Sequence, residues 1–350
     1  MKIPDTKTQL SATDEVFDLL DAHLASAAVI AAMELGLFWH LDQGIISREE
    51  IASLLDLPRN RTQYWLQYLC KLGLLEQAPG GYSLSTKARS GILDSYSQET
   101  WAFLAREARE QFPVFQFYTS HFRYQGSLWE VAGITPPNYF EQMSADLDRA
   151  RKFTRMLYEL HQPFAEFIAD RLEMEQINSL LDLGGGSGVM SMALLRRNPQ
   201  LLALVVDIPN VCTAGREIAI ENTLESRLIF HPANFLEDEL PAGFDMVLEC
   251  DVGIYCEDLF NKIQRSLNPD GRYVIIDQFA PAKDIAPSSR LSWAIQGSVK
   301  NPDFTYTTAK EIVSMLEKSG YQSVTAHELP RFASKSIRFT EDMYMITAYI

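Results

Sequence analysis

The sequence predicts an α/β protein in two parts: a helical N-terminal region closed by a β-hairpin, then a parallel sheet covered by helices on both faces. Three observations predict it. From Ile177 onward, short apolar runs alternate with amphipathic helical stretches, as strands and helices do in a parallel sheet. The first of those runs ends in a glycine-rich turn that opens directly into a helix. Upstream of residue 100, apolar residues recur at helical rather than strand spacing. A chain of 350 residues also favours more than one domain.

Taken in order, Val16, Leu19, Leu20, Leu24, Ala27, Ala28, Ala31 and Leu35 mark a long apolar, Ala-rich helical stretch over residues 16–41. Ser47-Arg48-Glu49-Glu50 reads as a capping box before IASLLDL. Pro58 is expected to end that helix, with the next beginning at Arg61 and running to Leu72, and Gly73 as its C′ residue. LLEQAPGGYSLS then reads as two short strands. Helices followed by a hairpin form a winged-helix-like domain over residues 1–100. Residues 101–175 are aromatic and mainly helical, broken at Pro136-Pro137, and are expected to act as a connector that contributes to a substrate pocket. Residues 176–350 form the sheet domain, with strands at NSLLDLG, LLALVVDIP, RLIFHPA, FDMVLEC and RYVIIDQ, and two successive strands at its end that predict an antiparallel edge hairpin.

Composition narrows the function. A winged helix raises DNA binding, but residues 1–100 hold 8 Lys or Arg against 13 Asp or Glu, and the whole chain carries −15. The candidate recognition helix offers only Arg59, Arg61 and Lys71. Phosphate backbones require clustered cations, so no nucleic-acid partner is expected. No run of about 18 apolar residues predicts a membrane span. The N-terminus MKIPDTKTQLSATDEVFD lacks the apolar core of a signal peptide, so a cytoplasmic location is expected. Cys70, Cys212, Cys250 and Cys256 form no CxxC pair, and the six histidines are scattered, so no metal site is expected. The partner that fits is a small molecule. The apolar stretch at 16–41 exceeds what a small domain buries alone, and predicts a homodimer.

The first strand of the sheet domain ends in Asp182-Leu183-Gly184-Gly185-Gly186-Ser187-Gly188. Glycines let the backbone turn tightly and approach a ligand. A dinucleotide fingerprint needs a third glycine where Val189 stands, so the spacing suits a ligand without a pyrophosphate. Asp207 ends the second strand, where a carboxylate can accept both hydroxyls of a ribose. After the third strand, Asn234 can bond an adenine edge and Phe235 can cover its face.

LLDLGGGSG, VVDIP, FDMVLEC and SLNPDGRYVIID resemble the class I S-adenosylmethionine methyltransferases. AAMELGLFWHL, EEIASLLDL, YLCKLGLLE and GYSLS resemble the dimerisation domain of one subgroup, which contains small-molecule O-methyltransferases and some C-methyltransferases of pigment and antibiotic pathways. The resemblance covers nearly the whole chain. It implies a Rossmann-like sheet, S-adenosylmethionine as cofactor, and methyl transfer to oxygen or carbon of a small, aromatic or natural-product-like substrate. It also implies cofactor roles for Asp182, Gly184, Gly186, Asp207, Ile208, Asn234, Phe235 and Cys250. Asn234 stands where the family usually has Asp.

One departure matters. The subgroup usually carries a Leu-His-Asp-Trp run after the fourth strand, with the His as base; this chain reads Glu249-Cys250-Asp251-Val252-Gly253-Ile254-Tyr255. Two residues are candidates to replace it. Asp251 follows the fourth strand at the carboxyl edge of the sheet. His161 lies on the helix that borders the substrate pocket in the subgroup. Tyr158 shares a helical face with it and Gln162 is adjacent, so Tyr158, His161 and Gln162 are expected to meet substrate. The missing histidine also leaves open a non-methylating use of the same fold and cofactor, in cyclisation, decarboxylation or hydroxylation.

Overall fold

The structure is a computed structural model that describes residues 12–332 and 342–350. The start of the polar N-terminus and the first residues of the last expected strand, 336–341, lie outside the described residues. Two compact units divide between Phe112 and Pro113.

In the first unit, α1 (Ala12–Leu20), α2 (Ala22–Glu34) and α3 (Leu37–His40) precede α4 (Arg48–Leu54) and α5 (Arg59–Lys71). The capping box forms as expected: Ser47 Oγ accepts from the Glu50 amide, and the Glu50 carboxylate accepts from the Ser47 amide. Pro58 does not end α4, which already stops at Leu54; it caps α5, where its missing N–H costs nothing. Gly73 adopts φ +71° just past α5. Strands β1 (Leu75–Ala78) and β2 (Gly81–Leu84) make the hairpin, α6 (Thr86–Ala88) follows, and α7 (Gln98–Ser120) runs across the division between the units. Leu37, Phe38, Leu41, Ile51, Leu66 and Leu69 form the core of this unit. None of α1 is buried, and Val16, Phe17, Leu19, Leu20 and Leu24 are exposed.

The second unit continues through α8 (Leu128–Val131), α9 (Tyr139–Ala145) and α10 (Leu147–Ala169) into the alternation β3 (Ser179–Leu183), α11 (Val189–Arg197), β4 (Leu202–Asp207), α12 (Pro209–Glu221), β5 (Leu228–Pro232), β6 (Phe244–Cys250), α13 (Glu257–Ser266) and β7 (Leu267–Gln278). It closes with α14 (Leu291–Lys300), α15 (Ala309–Lys318), β8 (Gln322–Glu328) and β9 (Met343–Tyr349). The seven-stranded sheet has the order β5-β4-β3-β6-β7-β9-β8. Strands β3 to β7 are parallel, and β9 slots antiparallel between β7 and β8. The expected edge hairpin is therefore present, with β8 outermost.

Both faces of the sheet are covered. Ala165, Ile168, Met192, Leu195, Cys212 and Ile218 from α10, α11 and α12 pack on one side. Phe260, Ile263, Ile312 and Leu316 from α13 and α15 pack on the other. This explains why β3 reads as a continuous apolar run rather than an alternating one. The chain runs outward from β3 to β5, then crosses back to lay β6 on the other side of β3. That reversal opens a crevice beyond the carboxyl ends of β3 and β6, where open α/β sheets bind ligands. Among the described residues, no single helix is long and apolar enough to cross a membrane.

Candidate active site

The glycine turn follows β3 directly. The Gly184 amide donates to Val206 O at 2.8 Å, which holds the turn against β4. Gly184 and Gly186 adopt φ +66° and +56°, a region costly for any residue with a Cβ. At Gly184 a Cβ would also lie 2.8 Å from a methyl of Val252. The Gly186 amide donates to Asp207 Oδ2 at 2.9 Å and the Ile208 amide to Oδ1 at 2.7 Å. Asp207 is thus fixed at the end of β4 with its carboxylate aimed at the crevice. Asp182 is buried; Ser191 donates to its Oδ2 at 2.5 Å, and its Oδ1 has no partner among the described residues. Burial raises both carboxyls to about 6, more than their hydrogen bonds lower them. An orphaned buried oxygen beside a side-chain-free turn fits a ligand carrying donor groups and cationic charge, such as the amino acid end of S-adenosylmethionine.

These residues line a cavity of about 510 Å³, a size ordinary for small-molecule sites. Asp182, Gly184, Gly186, Asp207, Ile208, Asn234, Phe235 and Cys250 line it, as do Asp251 and His161. The cavity therefore gathers every residue picked from the sequence except Tyr158 and Gln162. Tyr158 is buried and donates to Asn222 Oδ1 at 3.0 Å, while Gln162 faces outward. Of Tyr158, His161 and Gln162, only His161 lines the cavity. Phe153, Leu157 and His161, spaced i, i+4, i+8, turn toward the cavity, and Tyr158 lies about 100° around the helix from Leu157. A neighbouring side of the helix faces α12, where Arg151 pairs with Glu217 with a contact of 2.6 Å and Arg155 with Glu221 at 2.5 Å.

The far end of the cavity is formed by Tyr139, Phe140, Phe153, Leu157 and Trp293. Sequence reasoning counted Tyr139 and Phe140 only among aromatics in general, and overlooked Arg290 and Trp293 altogether. The spacing of Arg290 and Trp293 at i, i+3 in SSRLSWAIQ was the available signal. Arg290 is almost fully buried. One guanidinium nitrogen lies 2.9 Å from Asp251 Oδ1, Nε donates to Gln278 Oε1, and the guanidinium carbon stands 5.2 Å from the Trp293 ring centre. His161 Nε2 lies 3.7 Å from Asp251 Oδ2, and its Nδ1 is 2.9 Å from Leu157 O. A carbonyl can only accept, so Nδ1 carries a proton. Burial works to raise the Asp251 carboxyl, but His161 and Arg290 outweigh it and hold it below the ordinary carboxylate range.

Behind the cavity floor sit two more carboxyls. Glu249 takes a hydrogen bond from the Tyr273 hydroxyl, and Asp277 takes one from Tyr255 at 2.5 Å. Burial pushes Glu249 up to about 8 and Asp277 to about 7, the latter helped by the nearby charge of Asp251.

Known proteins match this arrangement. The model of the O-methyltransferase domain matches residues 119–322, and that of the O-methyltransferase dimerisation domain matches residues 17–91. The N,N-dimethyltransferase OxyT of Streptomyces rimosus is 24% identical over 88% of this chain and 90% of its own. The 3-hydroxy-5-methyl-1-naphthoate 3-O-methyltransferase of Streptomyces sahachiroi is 28% identical over 66% of each chain. The solved structure of PigF with SAH superposes with a TM-score of 0.80 at 18% identity, covering 97% of this chain and all of that one, and shares the fold. Methyl transfer is the reaction, and the non-methylating alternative finds no support among these relatives. Since the catalytic model alone spans more than half of its length, the chain belongs to the S-adenosylmethionine-dependent O-methyltransferases that carry their own dimerisation domain.

Proposed function

We propose that the protein methylates a heteroatom or nucleophilic carbon of a small, flat, natural-product-like molecule held at the aromatic end of the cavity. The observation that carries this reading is the continuity of one cavity from the glycine turn and Asp207 to Tyr139, Phe140, Phe153 and Trp293. One relative is named as a 3-O-methyltransferase of a hydroxynaphthoate, a flat aromatic acceptor. S-adenosylmethionine, when bound, supplies a methyl group already activated on a positively charged sulfur. Much of what remains for the protein is holding, orientation and exclusion of water. Asp207 holds the ribose hydroxyls, Ile208 and Phe235 cover the adenine, Asn234 bonds its edge, and Asp182, Gly184, Gly186 and Cys250 enclose the remainder. His161 and Asp251 face the substrate. Tyr158 and Gln162 have no part in this reading.

The test is incubation of the purified protein with S-adenosylmethionine and a panel of hydroxy- and aminonaphthalenes. The expected result is a gain of one methyl mass with a matching yield of S-adenosylhomocysteine. Turnover of the acceptor without that mass would refute the reading.

The working unit is a homodimer. Support comes from the dimerisation-domain match and the exposed apolar face of α1. Light scattering is expected to give about twice 39.7 kDa, and Leu19→Glu with Leu20→Glu is expected to give a monomer. A monomeric wild type at micromolar concentration would refute it.

A further inference from the structure

The reading above sets Asn234 at the edge of the adenine and leaves open which group it offers. Resting on that reading, we infer that Asn234 donates: its Nδ2 bonds the ring nitrogen N1 of the adenine, and its Oδ1 does not serve the exocyclic amine.

The turn after β5 fixes the amide. Asn234 Oδ1 accepts from the Leu236 amide at 3.2 Å. The Asn234 carbonyl accepts from the amides of Glu237 and Asp238 at 2.9 and 2.7 Å, and Asp238 Oδ2 accepts from the Asn234 amide at 2.8 Å. Lys262 on α13 braces the same turn. Its Nζ donates to Phe235 O at 3.3 Å and to Leu236 O and Asp238 O at 2.8 Å each. One ammonium thus holds three consecutive stretches of the loop that carries Asn234 and Phe235.

These bonds decide which atom of the amide is which. A backbone N–H can only donate, so the atom that meets Leu236 is the oxygen. Turning the amide over would set two donors against each other. Oδ1 is therefore drawn into the turn, and Nδ2 lies on the other branch of the same side chain. Nδ2 bonds nothing among the described residues, and Asn234 lines the cavity. An amide nitrogen carries two N–H bonds and accepts nothing, so the group it calls for is an acceptor. On the adenine edge the amine donates, and N1 beside it accepts. A carboxylate in this place could only accept, and would read the amine instead. The choice of amide over acid at position 234 thereby selects which atom of the base is recognised.

The experiment is calorimetric titration of the full-length protein with S-adenosylhomocysteine, its 1-deaza analogue, in which N1 is a C–H, and its 6-deamino analogue, in which the amine is a hydrogen. An unmet donor is costly, so the wild type is expected to bind the 1-deaza analogue about tenfold more weakly than the parent. The 6-deamino analogue is expected to bind within about threefold of it. Asn234→Asp keeps an oxygen for the Leu236 amide and so keeps the turn. In that variant the order is expected to reverse, with loss of the amine costing more than loss of N1, and melting curves confirm that it folds. Equal affinity of the wild type for the parent and the 1-deaza analogue, a tenfold loss on removing the amine, or the same order of analogues in Asn234→Asp overturns the inference while leaving the cofactor reading standing. Failure of S-adenosylhomocysteine itself to bind overturns the cofactor reading, and this inference with it.

Discussion

The guanidinium of Arg290 stands 2.9 Å from Oδ1 of Asp251, joining the segment before α14 to the loop after β6 across 39 residues of sequence. Arg290 also bonds Gln278 and lies over Trp293, so one side chain ties the cavity's charged centre to its aromatic wall. Replacing it with Met leaves Asp251 without its counter-charge. The expected cost is about 1–3 kcal/mol in stability, below the figure for a fully buried pair because the Asp251 carboxylate is open to the cavity. Thermal melting of Arg290→Met checks this, and a melting point equal to wild type would show that the pair contributes nothing.

Cofactor affinity should depend on Asp207 and on pH together. Asp207→Ala removes the acceptor for two hydroxyls, and hydrogen bonds to charged groups contribute about 1.5–3 kcal/mol, so affinity for S-adenosylhomocysteine should fall roughly 10- to 100-fold. Burial raises this carboxyl from 3.8 to about 6. Below that pH it is protonated and loses acceptor capacity, so wild-type affinity should be weaker at pH 5 than at pH 7. Calorimetry at the two values decides it; in Asp207→Ala the pH dependence should shrink.

The two glycines of the turn should differ under the same substitution. Gly186→Ala meets open space and suffers only its left-handed φ, roughly 1–2 kcal/mol. Gly184→Ala adds a contact of 2.8 Å with Val252, which must shift along with the loop that carries Asp251. Gly184→Ala should therefore be the less stable variant in denaturant melts. The reverse order would contradict the turn geometry.

The phase of α10 separates binding from stability. Leu157→Ala enlarges the cavity and should raise KM with a smaller effect on melting. Tyr158→Phe removes the bond to Asn222, worth about 1 kcal/mol, and should leave KM unchanged. If Tyr158→Phe instead changes KM, the residue meets substrate after all.

Glu249 should make the protein less stable in alkali. Its folded-state carboxyl is raised from 4.5 to about 8, chiefly by burial. The folded state therefore holds its proton longer than the unfolded chain does. The stability this brings is complete below about pH 4.5 and is lost as pH rises toward 8, above which the folded state carries the full penalty of a buried charge. Glu249→Gln removes that dependence. Between pH 6 and pH 9 the variant should gain on wild type by up to about 2–3 kcal/mol, read as the difference in melting temperature. Parallel curves would show that Glu249 does not titrate in this window.

Strand periodicity and glycine spacing were enough to place the strands, the glycine turn and one end of the cavity. Asp182, Gly184, Gly186, Asp207, Asn234 and Phe235 were legible because each sits at the end of a strand or in the turn just after one. In a parallel sheet all such ends meet along one edge, so knowing the strands is enough to gather the residues. The capping box at Ser47 was equally legible, since it depends on contacts within four residues. The other end of the cavity was legible only in part: His161 and Asp251 were picked from the sequence, while Leu157, Arg290 and Trp293 were not. Spacing alone does not fix the phase of α10: Leu157 and His161 line the cavity, whereas Tyr158 turns to Asn222 at the end of α12. Arg290 and Trp293 lie outside any strand-end motif, and their place depends on packing of the segment after β7 against Asp251 and Gln278. Contacts between residues far apart in sequence leave no local periodicity to read, which is why Leu157, Arg290 and Trp293 emerged from the fold alone.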